Sequence, residues 1–153
     1  MIEKLKQMFS STLGDNTDVY LANQQQSKVL AAVALMIEII AVDDEEHETE
    51  KAMLRQILAN QFDVKDSDAE KLIAEAERAH DEATDFYRFT ADINQQYNEQ
   101  EKIELIEMLW QIAWADHELQ DIEEHVIRKL ASLLYVSHKD FIATKLKVVG
   151  EAS

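Results

Sequence analysis

Apolar positions along the chain recur at intervals of three and four. Val29, Val33, Met36, Ile37 and Ile40 form one stripe, and Met53, Leu54, Ile57 and Leu58 form the next. A long block then places Ala69, Leu72, Ile73, Ala76, Ala79, Ala83, Phe86, Tyr87, Thr90 and Ile93 at helical spacing. Ile103, Ile106, Leu109, Trp110 and Ala113 make a further stripe, and Val126, Ile127, Leu130, Leu133 and Leu134 another. Phe141 and Leu146 belong to a last short segment. Such spacing predicts amphipathic helices. Ser67 with Glu70, Asn98 with Glu101, and Asp121 with Glu124 read as helix starts, and Ser137 opens the last helix. Thr84 is a further cap candidate, so the long block is one bent helix or two.

Val29 to Val42 is the most apolar run. It is too short to span a bilayer and contains Glu38, so it reads as a buried core helix holding a paired acid. Residues before about Asn23 and after Lys147 read as weakly held ends. The predicted organisation is an N-terminal segment over 1–23, a helical domain over 24–147 and a tail over 148–153. The segment "MIEKLKQMFSSTLG" has no signal-peptide core. Its Ile2, Leu5, Met8 and Phe9 make a short amphipathic stretch that could touch a membrane surface or a partner. Glu3 and the shortness favour a terminal helix docked on the domain.

Composition narrows the class. Among 153 residues there is no proline, and Gly14 and Gly150 are the only glycines. A β-rich fold needs more turn residues than this, so an all-α bundle with short polar loops is expected. There is no cysteine, which excludes disulfides and thiolate metal sites and is compatible with a cytoplasmic location. The formal charge of −16 disfavours nucleic acid as a partner and favours cations or a basic protein.

The densest acid cluster lies in "AVDDEEHETEKAMLRQIL", residues 41–58, with six acids between Asp43 and Glu50. A shift of 73 residues lays "IIAVDDEEHETEKAMLRQILANQF" on "IAWADHELQDIEEHVIRKLASLLY". Asp43 then falls on Asp116, Glu45 on Glu118, Glu50 on Glu123 and Arg55 on Arg128. An apolar stripe recurs by chance in any helical protein; polar identities in register are harder to dismiss. The chain therefore reads as a duplicated helical hairpin. In each copy the Asp closes one helix and the second Glu opens the next. A helix N-terminus favours the Glu, but a helix C-terminus disfavours the Asp, which calls for compensation.

The same residues resemble the signature of the tellurite-resistance protein B (TerB-like) family, through Ala113, Ala115, Asp116, Glu123, Ile127 and Leu130. Asp43, Glu50, Leu54 and Ile57 match it more loosely, and "DFYRFTADIN" with "EKIELIEMLWQIAWAD" is similar to the stretch between copies in a bacterial subgroup. The likeness covers about residues 24–146. Where the motif has glycine, this chain has Asp44 and His117, residue types that tolerate a left-handed backbone. The resemblance implies about seven helices, an association with stress responses and no established enzymatic activity.

Asp43, Glu50, Asp116 and Glu123 are the candidate metal ligands. Carboxylate oxygens suit hard divalent cations such as calcium, magnesium or manganese. The competing account is a solvated acidic rim of helix caps, with Arg55 and Arg128 ion-paired to the duplicated acids. His47, His80, His117, His125 and His138 have no ligand spacing. Trp110 and Trp114 read as core and core-edge residues. No phosphate-binding glycine loop, nucleophile elbow or HExxH occurs. Three functions stand in order: a non-enzymatic cation-binding module in stress physiology, a metal-independent acidic adaptor, and a metal-dependent hydrolase.

Overall fold

The computed structural model describes residues 16–42, 48–82 and 87–150. They form seven helices: α1 (Asn16–Ala41), α2 (Glu48–Gln61), α3 (Asp66–Glu82), α4 (Tyr87–Gln96), α5 (Glu99–Ala113), α6 (Asp121–Leu133) and α7 (His138–Val148). No strand occurs among the described residues. The all-α expectation and the helix count both hold. The long block between residues 66 and 96 is two helices, α3 and α4. Thr84, the expected cap between them, lies outside the described residues.

The core is built around two helices. In α1, Val29, residues 31–37, Ile39 and Ile40 are all buried. A helix apolar on every side must be covered on every side, and α1 packs against α3, α4 and α5, with α2 and α6 at its edges. In α5, Leu105, Ile106, Met108, Leu109, Trp110, Ile112 and Ala113 are buried. Trp110 meets the Phe141 ring of α7 at 5.2 Å between centroids.

The duplication is visible in the architecture and extends beyond the hairpin. A shift of 73 carries the start of α2 at residue 48 onto the start of α6 at residue 121. The packing pairs recur as well. α1 packs on α3 as α5 packs on α7, and α2 meets α5 as α6 meets α1. The third helix is therefore part of the repeat, at a shift of 72, since α3 begins at residue 66 and α7 at residue 138. One residue at the end of the second helix accounts for the change, since α2 has 14 residues and α6 has 13. Val64 N–H closes the end of α2 on the Leu58 carbonyl at 2.9 Å, and Val136 N–H closes α6 on the equivalent Ala131 carbonyl at 2.9 Å. Both turns use a left-handed residue without glycine: Asp63 at φ 56° and Tyr135 at φ 61°. In the second turn, the Tyr135 N–H to Ser132 carbonyl bond and the Val136 bond together make a Schellman cap.

Two helix starts follow the capping chemistry to the residue, and two others are displaced by one or two residues. Asn98 Oδ1 accepts from Glu101 N–H at 2.8 Å, while Glu101 Oε1 accepts from Asn98 N–H at 2.9 Å. This is the reciprocal box expected from the sequence. Ser137 Oγ accepts from Asp140 N–H at 3.1 Å, as expected for the last helix. α3 begins at Asp66, which puts its cap position at Lys65, two residues before Ser67. α6 uses Gln120 and Glu123, one residue before the Asp121–Glu124 pair. Leu146 is 43% exposed and contributes little to the core.

The two halves meet at equivalent residues. Lys28 and Glu101 occupy the same place in the repeat, and Lys28 Nζ lies 3.1 Å from Glu101 Oε2. Tyr97 sits over this pair, its hydroxyl donating to the Lys28 carbonyl at 2.9 Å. Burial pushes the Tyr97 phenol well above its ordinary value of 10, and the Glu101 charge adds to the effect. The native state therefore keeps its proton after the unfolded chain has released it, so this contribution is complete below pH 10 and falls as pH rises. The expected slope is about 1.4 kcal/mol per pH unit above pH 10. Urea unfolding at about pH 8 and about pH 11 tests this, because Tyr97→Phe should lose roughly 1 kcal/mol at the lower pH yet show a shallower alkaline decline. Identical declines in the two proteins would contradict the assignment.

Candidate functional site

Each hairpin elbow is made by one helix running out and the next beginning. In the second copy, α5 ends at Ala113, and Trp114 N–H and Ala115 N–H bond back to the Trp110 and Ile112 carbonyls. His117 then takes φ 61°, with its N–H on the Trp114 carbonyl at 2.9 Å. The left-handed turn that glycine would make easily is thus made by histidine. His117 is exposed, and its ring meets the Trp114 ring edge-on at 5.4 Å. Trp114 is half-buried, as expected for a core-edge residue.

Asp116 is exposed at this elbow. Its Oδ1 accepts the Glu118 N–H at 3.0 Å, a local turn bond that offsets part of the unfavourable charge at a helix C-terminus. Glu123 is the third residue of α6, and its Oε1 accepts the Gln120 N–H at 3.2 Å. Its side chain is buried, at 1% exposure. Glu50 stands at the equivalent third position of α2 and is also buried, at 6%. One oxygen, Oε2, is shielded from solvent in each. Acids are seldom this buried without compensation. Among the described residues, Glu50 and Glu123 are two of the four buried polar ones. The helix N-terminus supplies part of the compensation, through its backbone donor and dipole.

Asp43, the fourth candidate ligand, lies outside the described residues, as do Asp44, Glu45, Glu46 and His47. Among the described residues no three His, Asp or Glu side chains form a group able to hold a metal ion. The structure thus places Glu50 and Glu123 inside the protein at matching elbows and leaves Asp116 on the rim.

The arginines take other partners than the duplicated acids. Arg55 Nε lies 2.5 Å from Glu70 Oε1 of α3. Arg128 reaches Glu124 at 3.6 Å and lies over the Phe141 ring at 5.1 Å. Glu124 is shared with Lys145 of α7 at 2.6 Å. These pairs tie the second helix of each copy outward, away from the elbow carboxylates. Glu38 has its expected partner, since His80 Nε2 lies 3.2 Å from Glu38 Oε1.

A second acidic feature escapes a reading based on the repeat. A groove of about 860 Å³ opens between the end of α2, one face of α5 and α7. Glu101, Glu104, Glu107 and Asp140 line it, above Met108 and Ala143. Among the described residues that line it, Lys147 is the one lysine, and it lies 2.9 Å from Glu107. The hydrogen bond and the charge of Glu107 hold the Lys147 ammonium above its ordinary value. The signal was present in "EKIELIE", where Glu101, Glu104 and Glu107 recur every three residues along one helix face.

Among described residues no helix is long and apolar enough to cross a membrane. Comparison with known families matches residues 29–146 to the family described as Tellurite resistance protein TerB. No curated protein and no solved structure gives a significant match.

The elbow geometry makes two stability predictions. His117→Gly should raise stability by up to about 1 kcal/mol by relieving the left-handed turn, whereas His117→Val should lower it. Glu123→Ala should cost roughly 1–2 kcal/mol through the lost cap and the space left behind. Urea midpoints at constant m-value measure all three. A glycine variant less stable than the valine variant would show that the turn is not held as described.

Proposed function

The chain belongs to the TerB family, and from that premise we propose that it is a non-catalytic module that takes up a divalent cation at the hairpin elbows. Asp43, Glu50, Asp116 and Glu123 are the ligands in this reading, and calcium, magnesium or manganese the class of ion. The module then acts through partners in a stress response of the tellurite-resistance kind. The observation that carries the reading is the burial of Glu50 and Glu123 at matching places in two copies of one hairpin. A cap alone does not require such burial, as Glu101 shows by making both box bonds from a side chain that is 21% exposed. Carboxylates held inside an elbow have fewer waters to lose when a cation arrives.

A second reading is a metal-independent adaptor for a basic protein. The acidic groove beside α5 favours it, and exposed charge attraction of this kind weakens with salt.

Calorimetric titration with calcium, magnesium and manganese at moderate salt separates the two. The cation reading predicts saturable binding and a raised melting temperature with at least one ion. Glu50→Gln with Glu123→Gln should weaken this by roughly tenfold or more, as should Asp116→Asn with Asp43→Asn. Reversing Glu118 and Glu124, outside the ligand set, should leave it intact. Flat titrations with an unchanged melting temperature would remove the cation reading and leave the adaptor.

A further inference from the structure

α4 packs on α1 and is fixed there at two points. Asn94 Nδ2 donates to the Leu133 carbonyl at the end of α6, at 3.0 Å, and the Tyr97 hydroxyl donates to the Lys28 carbonyl at 2.9 Å. In the repeat, Leu133 corresponds to Asn60 and Lys28 to Glu101. Asn60 and Glu101 both line the acidic groove between α2, α5 and α7. The groove is thus the place on α5 that matches the seat of α4 on α1.

Helix continuity explains why the repeat does not fill it. The shift of 73 lays α1 on α4 and α5 together. The second copy breaks at Tyr97 and Asn98, where Asn98 and Glu101 cap a new helix, and α4 folds onto α1. In the first copy Gln25 and Lys28 stand in place of that cap pair and cannot form the box, and α1 runs unbroken from Asn16 to Ala41. The counterpart of α4, residues 14–23, lies mostly within α1. Among the described residues no helix takes the matching seat on α5.

The chemistry of the seat identifies its occupant. Ala31 and Ala34 of α1 are buried, whereas their counterparts Glu104 and Glu107 are exposed and half-buried. Lys28 answers Glu101, and Lys147 answers Glu107. Among the described residues Glu104 and Asp140 have no cation partner. Between these acids the groove offers the apolar atoms of Ile103, Met108 and Ala143. Its volume of about 860 Å³ is that of roughly two turns of a helix about 10 Å wide. A second copy of the chain, at net charge −16, is repelled by such a rim.

We propose that the groove between α2, α5 and α7 receives an amphipathic helix of a partner protein, in the position that α4 takes on α1. An apolar stripe of that helix rests on Ile103, Met108 and Ala143, and its lysines or arginines meet Glu104 and Asp140. The partner's cations compete with Lys147 for Glu107. The inference rests on the adaptor reading and is independent of cation binding at the elbows.

A synthetic peptide of about 15 residues, leucine on one helical face with lysine and alanine on the rest, serves as probe. It is titrated into the full chain at moderate salt, and amide shifts are read by NMR. Shifts should centre on residues 100–108 and 140–147. Glu104→Lys should weaken binding about tenfold, whereas Lys147→Ala should tighten it by about threefold by removing the competing ammonium. A peptide of the same composition shuffled to break the leucine stripe should bind far more weakly. Equal binding of the shuffled peptide, or an unchanged affinity in both variants, would overturn the proposal. Shifts centred on residues 115–124 would overturn it while leaving an acidic adaptor, and unchanged spectra with both peptides would remove the adaptor reading as well. Groove shifts that follow protein concentration alone, or that appear without peptide in Lys4→Glu with Lys6→Glu, would give the seat to a second copy or to the chain's own start and overturn the proposal.

Discussion

The fold depends on the burial of α1 and α5 against one another. Neither helix has a broad solvent face through its apolar stretch, so each requires neighbours on nearly every side. The duplicated unit meets that demand by reciprocity: the second helix of each copy crosses onto the first helix of the other. At the meeting point, equivalent residues face each other as Lys28 and Glu101. A pair of identical side chains would be repulsive or unpaired in that place. Divergence of the two copies to opposite charges makes the junction favourable, and the Tyr97 hydroxyl and ring secure it further.

Reciprocity also explains where chemistry is available. Core demand fixes the faces of α1 and α5 that point inward, leaving the elbows and the outer face of α5 to vary. At the elbows, the copies retain the same buried carboxylate, Glu50 and Glu123, while the rim residue Asp116 forms a local turn bond. On the outer face the copies part company, with alanines on α1 and glutamates on α5. Conserving one position between copies while diverging at another is how a repeat separates a shared property from a specialised one.

Much of this was legible in the residues. Periods of three and four located the helices, and Asn98 with Glu101 marked a start to the residue because both partners have the side chains a reciprocal cap needs. The start of α6 was displaced by one because Gln120 is outside the usual capping types, so Asp121 drew the assignment. The hairpin repeat was visible from polar identities in register. Its third helix was not, because α6 is one residue shorter than α2 and this breaks the register from 73 to 72. Burial of Glu50 and Glu123 could not be read from residue type, since acids at a helix start are ordinarily solvated. The partners of Arg55 and Arg128 were misjudged for a related reason: sequence spacing does not say which neighbouring helix lies within reach, and α3 and α7 turned out to matter.

Native-state hydrogen exchange tests the central claim most directly, because the slowest amides report the elements whose opening requires global unfolding. Amides of residues 31–40 in α1 and 105–113 in α5 should exchange together as the slowest set, with the same free energy as global unfolding. Fast exchange in α1 while α5 stays protected would mean that the two helices do not form one core, and the reciprocal architecture would be wrong.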